Sequence, residues 1–236
     1  MKALILAAGL GTRLKPLTDK IPKPMLKVGA KPLLQHQLNL LRRYGVKECA
    51  INLYHHPKQI SDYFGDGRNV DIKIRYLKER KLSGTAGPLQ KTNDFFDKPF
   101  FVIYGDNLTD INLDRFTSFH QNKGGIATIA LYYEKHPESK GIVITDKNER
   151  VLSFKEKPKI EEVTTHWANA GIYLCQPEIL KYIPKNKFYD FGYDLFPLLL
   201  KKDRPMYGYK MTETLLDIGT PETYRLAQKK IKEMKI

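Results

Sequence analysis

Leu4-Ile5-Leu6-Ala7-Ala8-Gly9-Leu10-Gly11-Thr12-Arg13-Leu14, followed by Pro22-Lys23-Pro24-Met25-Leu26, is the stretch on which the reading of the fold turns. An apolar strand runs into a turn with two glycines, and fixed positive charge follows. Gly9 and Gly11 permit a tight turn whose backbone N–H groups face an anion. Arg13 and Lys23 bring charge to the same mouth, with Lys15 and Lys20 near them in sequence. A strand and turn of this kind opens an α/β sheet, which places ligands at the carboxyl ends of its strands.

Three rivals compete for that turn. Gly9-Leu10-Gly11-Thr12-Arg13-Leu14 begins like a dinucleotide fingerprint, but Leu14 stands where the third glycine belongs. The second strand also ends at Asn52-Leu53, without the acid that would hold a ribose, so NAD is disfavoured. The GxxxxGK[ST] pattern is absent, which removes the P-loop enzymes. A plain structural turn is the third rival, and the cations gathered around the glycines argue against it.

Working outward, strands are predicted at Lys2–Ala7, Glu48–Leu53, Asp71–Tyr76 and Phe100–Tyr104. Between them, Leu34, Leu38 and Leu41 recur at the spacing of one buried helical face, and Gly45 follows as a stop. Further helices are predicted over Pro57–Phe64 and Gly84–Asn93. The second half reads as strands at Ile126–Tyr133, Gly141–Thr145, Val151–Lys155 and Trp167–Leu174 joined by polar turns, a mixed extension with antiparallel members. A last helix starts with Thr220 as cap and Pro221 at its first position, with Tyr224, Ala227, Ile231 and Met234 as its apolar stripe. No repeat or linker interrupts the chain, which predicts a single domain over residues 1–236.

The 236 residues are 42% hydrophobic and 28% charged, an ordinary globular composition. No apolar run approaches the roughly 20 residues of a membrane span, and Leu4–Ala8 is too short for a signal peptide. With only Cys49 and Cys175, lacking metal spacing, a reduced cytoplasmic protein with two core thiols is expected. The formal charge of +14 raises the question of nucleic acid. The lysines are spread through the chain among acids and apolar residues, which favours a solvated surface and a polyanionic small substrate. No nucleic-acid partner and no membrane association are expected, and homo-oligomerisation is left open.

Leu6 through Leu33 closely resembles the signature of the sugar-1-phosphate nucleotidyltransferases. Gly84-Thr85-Ala86-Gly87, Tyr104-Gly105-Asp106, Phe154-Lys155-Glu156-Lys157-Pro158, Asn169-Ala170-Gly171-Ile172-Tyr173 and Asp217-Ile218-Gly219-Thr220-Pro221-Glu222 resemble that family's later motifs, in family order and over nearly the whole chain. The resemblance implies a Rossmann-like three-layer α/β/α fold whose central mixed sheet is mostly parallel with a small antiparallel extension. It also implies a nucleotide-binding half of about residues 1–110 and a sugar-binding half of about 111–236. The implied reaction joins an NTP to a sugar 1-phosphate and releases pyrophosphate, with Mg²⁺ as cofactor.

The attacking phosphate monoester, with a second pKa of about 6, is already ionised at neutral pH and needs no general base. Catalysis then rests on positioning and charge neutralisation. On the resemblance, Arg13, Lys23 and Asp106 are the catalytic residues, and Asp106 with Asp217 holds the magnesium. Leu6, Ala8, Gly9, Gly11, Thr12, Glu79, Gly84 and Thr85 join Arg13, Lys23 and Asp106 around the nucleotide. Gly141, Glu156, Lys157 and Asn169 take the sugar phosphate. Read alone, either aspartate is equally a turn or capping residue, and Lys155-Glu156-Lys157 is a solvated charge run.

A carboxylate at Glu79 accepts both N1–H and the exocyclic amine of guanine. Gly84-Thr85-Ala86-Gly87-Pro88-Leu89 resembles the mannose-1-phosphate guanylyltransferase branch, so GTP is the expected nucleotide. The same chemistry with dTTP, UTP or CTP and the phosphate of glucose, a heptose, an amino sugar or an alcohol is the neighbouring alternative, and a non-catalytic sensor of nucleotide sugars is another. Tyr104, Ser83 and Leu216 depart from the usual pattern and bear on base and sugar choice. His55-His56 reads as an exposed loop pair, and Trp167 as core. Phe188–Tyr193 reads equally as sugar lining or as packing. The chain ends soon after its last helix, so no hexapeptide-repeat domain and no second transferase activity are expected.

Overall fold

A computed structural model describes residues 1–92 and 94–234. In chain order the elements are β1 (Lys2–Leu6), β2 (Lys27–Val28), β3 (Lys31–Pro32), α1 (Leu33–Arg43), β4 (Glu48–Leu53), α2 (Pro57–Phe64), β5 (Lys73–Lys78), β6 (Phe100–Tyr104) and β7 (Asn107–Thr109). They continue with α3 (Leu113–Lys123), β8 (Ala127–Tyr133), β9 (Gly141–Thr145), β10 (Val151–Glu156), β11 (Trp167–Cys175), α4 (Phe196–Lys201), β12 (Met206–Lys210), β13 (Leu215–Asp217) and α5 (Pro221–Lys230). These form two compact units. One holds Met1–Leu82, Val102–Ile111 and Glu213–Ile236; the other holds Ser83–Phe101 and Asn112–Thr212. The fold is mixed α/β, with a parallel sheet and antiparallel strands as the resemblance implies.

In the first unit the strand order is β1-β4-β5, with residues 102–104 of β6 on the other side of β1. β1 pairs parallel with β4, Leu6 opposite Asn52, and β4 pairs parallel with β5. Ala3, Leu4 and Ile5 have no exposed surface, as a strand covered on both faces requires. Leu34, Leu38 and Leu41 are equally buried along α1, and Gly45 follows in the left-handed region at φ 75°. β5 begins two residues after its predicted start, because Asp71 (φ 53°) still closes a 3₁₀ turn over Arg68–Val70. The side chain of Thr220 accepts from the Thr223 N–H at 3.2 Å and caps α5. Tyr224, Ala227, Ile231 and Met234 then pack on Leu14, Leu26, Val28, Leu33, Leu108, Leu216 and Ile218. That cluster ties the C-terminal helix to the segment following the glycine turn.

The second unit is mainly antiparallel. β9 lies between β10 and β11, and β8 pairs antiparallel with β11. β12 adds one parallel pair against β8. The helix predicted over Gly84–Asn93 is only a 3₁₀ segment, Gly87–Lys91; Asn93 lies outside the described residues. Its start is diverted because the N–H groups of Ala86 and Gly87 both donate to Tyr189 O, at 2.9 and 3.0 Å. The helix α3, not predicted from the sequence, is capped at both ends: Asn112 accepts from the Arg115 N–H at 3.0 Å, and Gly124 closes it at φ 68°. The Phe188–Tyr193 run divides, with Phe191 buried against Tyr173 and Phe196 while Phe188 and Tyr193 are exposed. Trp167 is half-buried, edge-on to Tyr133 and 5.1 Å from the Lys210 ammonium. Cys49 and Cys175 are free thiols buried in strands, and burial pushes both pKa values up. Among the described residues no helix is long and apolar enough to cross a membrane.

Candidate active site

The glycine turn follows the end of β1, and its two glycines differ in kind. Gly11 is left-handed at φ 65°, and a Cβ there would lie 3.0 Å from the Thr18 methyl. The hydroxyl of Thr18 donates to Gly11 O at 2.8 Å, which pins the turn. Gly9 has ordinary φ, and a Cβ on it would meet nothing within 4 Å. Neither backbone strain nor packing asks for glycine there, whereas close approach of a ligand would. The segment beyond is tethered by side chains preceding and within α2. The ring N–H groups of His55 and His56 face Thr18 O and Asp19 O, each at 3.2 Å, and Gln59 donates to Lys20 O at 2.7 Å. The histidine pair is therefore a half-buried anchor for this segment.

Asp106 sits in the turn between β6 and β7. Gly105 is required there because its N–H donates to Leu6 O at 2.8 Å, and a Cβ would lie 2.5 Å from that oxygen. β7 pairs antiparallel with β13, Asn107 opposite Asp217, and the Ile218 N–H donates to Asp106 O at 2.9 Å. The two aspartates thus stand at one end of a two-stranded ladder. Lys23, held between two prolines in a 3₁₀ turn and 8% exposed, places Nζ 2.6 Å from Asp106 Oδ2. Arg13 arrives from the other side: a Cβ on Gly219 would lie 2.9 Å from Arg13 Nη2 and 3.2 Å from Asp217 Oδ1. Two carboxylates and two cations, drawn from four segments, therefore meet within one unit.

That donor set suits magnesium. Carboxylate oxygens are hard ligands, and Mg²⁺ is commonly held by one or two of them while phosphate oxygens and waters complete its shell. No group of three or more acidic, histidine or cysteine ligands occurs among the described residues, so a cage built by the protein alone is not available. Asp106 and Asp217 would hold the ion, with Lys23 already paired to one of their oxygens.

Two supporting residues escaped the sequence reading. Gln37, buried on α1, donates from Nε2 to Tyr104 O at 2.8 Å and Asn107 O at 2.7 Å, the carbonyls flanking Gly105-Asp106. Its sequence signal was a polar side chain three positions after Leu34, on the apolar stripe. Asn52, at the end of β4, accepts from the Ala7 N–H at 2.7 Å and donates to Glu79 Oε1 at 2.7 Å. Glu79 is itself 8% exposed.

In the second unit the carboxyl of Glu156 fills a slot between two glycines. Cβ atoms on Gly141 and Gly192 would lie 2.6 and 2.5 Å from Glu156 Oε2. Burial pushes the pKa of Glu156 up; Lys157 and Lys140 oppose this, and Asp190 adds to it. Lys157 follows at φ 46°, an uncommon conformation for lysine, with its N–H on Lys140 O at 2.9 Å. The side chain of Asn169 is engaged internally, accepting from the Gly171 N–H and donating to the Tyr173 hydroxyl. Thr85 is similar: its N–H and hydroxyl donate to Asp190 at 3.0 and 2.8 Å, and its hydroxyl accepts from the Phe191 N–H. Gly84 is a close-packed glycine, and a Cβ on it would collide with Tyr189 O.

Comparison with known proteins gives the family. The chain belongs to the nucleotidyl transferase family, whose pattern matches residues 2–234. It is 40% identical over 238 positions to the UTP–glucose-1-phosphate uridylyltransferase of Synechocystis, which covers 95% of this chain and 61% of that one. It is 34% identical over 230 positions to mannose-1-phosphate guanylyltransferase 1 of Arabidopsis thaliana, covering 95% and 63%. A Bacillus anthracis crystal structure, assigned as a glucose-1-phosphate thymidylyltransferase and bound to sucrose, superposes with a TM-score of 0.89 at 25% identity, covering 100% of this chain and 97% of that one. The chain spans about three fifths of the length of the curated relatives it matches.

Proposed function

We propose that this chain transfers a nucleotidyl group from an NTP to a sugar 1-phosphate, forming a nucleotide sugar and pyrophosphate. The observation that carries this reading is the convergence of Lys23 and Arg13 with Asp106 and Asp217 beside the glycine turn. The sugar phosphate oxygen is the nucleophile and the pyrophosphate the leaving group, so the chain's task is to hold two polyanions in line against their repulsion. Arg13 offsets charge on the triphosphate and the departing pyrophosphate. Lys23 lies buried against Asp106 and neutralises charge near the α-phosphorus. Asp106 and Asp217 would hold magnesium, which would supply further neutralisation and a fixed template. Gly9, Gly11 and Thr12 cradle phosphate with backbone N–H groups, while Lys157 receives the phosphate of the sugar 1-phosphate and Glu156 hydrogen-bonds the sugar hydroxyls.

The carboxylate at Glu79 favours GTP, and the resemblance of Gly84–Leu89 to the mannose-1-phosphate guanylyltransferase branch favours mannose 1-phosphate as its partner. A second reading, UTP with glucose 1-phosphate, is supported by the 40% identity to the Synechocystis enzyme. Pyrophosphate release measured over four NTPs and a panel of sugar 1-phosphates separates the two. It also tests the sensor alternative, which predicts binding without release. The variant Asp217→Ala is expected to lose release at least about a hundredfold with its unfolding midpoint little changed. Substantial activity in that variant would remove the metal role from Asp217.

A further inference from the structure

Asn52 joins the root of the glycine turn to Glu79. It is 3% exposed at the end of β4, and its carboxamide is used at both ends. A backbone N–H can only donate, so the atom 2.7 Å from the Ala7 nitrogen is the carboxamide oxygen. The amide nitrogen is thereby turned towards Glu79, where it donates to Oε1 at 2.7 Å. Because that nitrogen cannot accept, the group it meets must present an acceptor. The Glu79 N–H adds a second constraint by donating to Leu53 O at 2.8 Å. A carboxylate is an acceptor whatever its neighbour, so what the Ala7 backbone fixes through Asn52 is the position of Glu79 Oε1.

We propose that Asn52 is a specificity-determining positioning residue that fixes the orientation of the Glu79 carboxylate, and so sets its acceptors to read a base with two adjacent N–H donors. Guanine meets that requirement with N1–H and its exocyclic amine; uracil and thymine offer N3–H alone. The inference rests on the nucleotidyltransferase reading with Glu79 at the base. It goes further in naming the residue that fixes what Glu79 recognises.

The test is equilibrium binding of GTP and of UTP by calorimetry, without sugar phosphate. It compares the unaltered chain, Asn52→Asp, and the double variant Asn52→Asp/Glu79→Gln. The unaltered chain is expected to bind GTP at least tenfold more tightly than UTP. Asn52→Asp keeps the acceptor for Ala7 but removes the donor to Glu79. It is expected to bring the two nucleotides within threefold, mainly through weaker GTP binding. In the double variant the carboxamide introduced at position 79 donates to the carboxylate introduced at position 52, so the pair re-forms with its polarity reversed. Thermal stability is then expected to recover while the preference for GTP does not. Equal losses of GTP and UTP affinity in Asn52→Asp, recovery of GTP preference in the double variant, or an unaltered chain that binds UTP as tightly as GTP would each overturn the proposal. Selective GTP binding with no pyrophosphate release under any substrate pair would sustain it and remove the transferase reading instead.

Discussion

Replacing Gln37 by leucine tests how the turn carrying Asp106 is held. Gln37 is 2% exposed and gives both of its amide hydrogens to the carbonyls of Tyr104 and Asn107. Leucine has nearly the same volume and no donor, so each carbonyl loses one partner at a cost of about 1–2 kcal/mol. Against this, Gln37 Oε1 is buried with no hydrogen-bond partner among the described residues. Its removal relieves a penalty of about 1 kcal/mol. The expected net destabilisation is about 2 kcal/mol, or roughly 4–8 °C in the unfolding midpoint for a chain of this length. Circular dichroism melts measure that shift. The Mg²⁺ dependence of pyrophosphate release supplies the second reading, because a loosened Asp106 raises the half-saturating magnesium concentration several-fold. A midpoint within 1 °C of the unaltered chain refutes the energetic reasoning. A lowered midpoint with unchanged magnesium dependence refutes the link to Asp106.

Glu156 should be a site where function opposes stability. Its pKa is raised in the folded chain, chiefly by burial, so as pH climbs above 4.5 the unfolded chain loses this proton first. The folded chain then holds more protons, and stability falls through that window. Glu156→Gln is expected to melt higher than the unaltered chain at pH 7 and no higher at pH 4, while losing affinity for the sugar phosphate. Parallel melting curves across that pH range would contradict the burial argument. Gly219→Ala tests the approach of Arg13, since the new methyl would lie 2.9 Å from a guanidinium nitrogen at the end of a flexible side chain. A raised KM for NTP with a midpoint within about 2 °C is expected, and an unchanged KM would dissociate Arg13 from the nucleotide.

What the sequence made legible follows from which interactions leave a pattern. The strands β1 and β4 and the helix α1 were readable because burial on one or both faces imposes apolar runs or a 3.6-residue period. The cap at Thr220-Pro221 was readable because helix ends demand particular residue types. Nothing local in Gly84-Thr85 announces that these two residues also pack on and bond to Tyr189, Asp190 and Phe191, about a hundred positions away. No local period records a pairing of that range.

Gln37 and Asn52 were missed for a related reason. Each binds main-chain atoms, and every residue type offers the same carbonyl and, proline aside, the same N–H. The recipient end of such a bond therefore leaves no mark in the amino-acid sequence. Only the donor or acceptor side chain is visible, and it reads as a polar interruption of an apolar face. Asn52 is the sharper case, because in the sequence its position registers only as the absence of an acid that would bind ribose. Its carboxamide instead ties one backbone N–H to the Glu79 carboxylate, a link an acid at that position could not make because it offers no donor. The residue that argued against one nucleotide is thus the one best placed to select another.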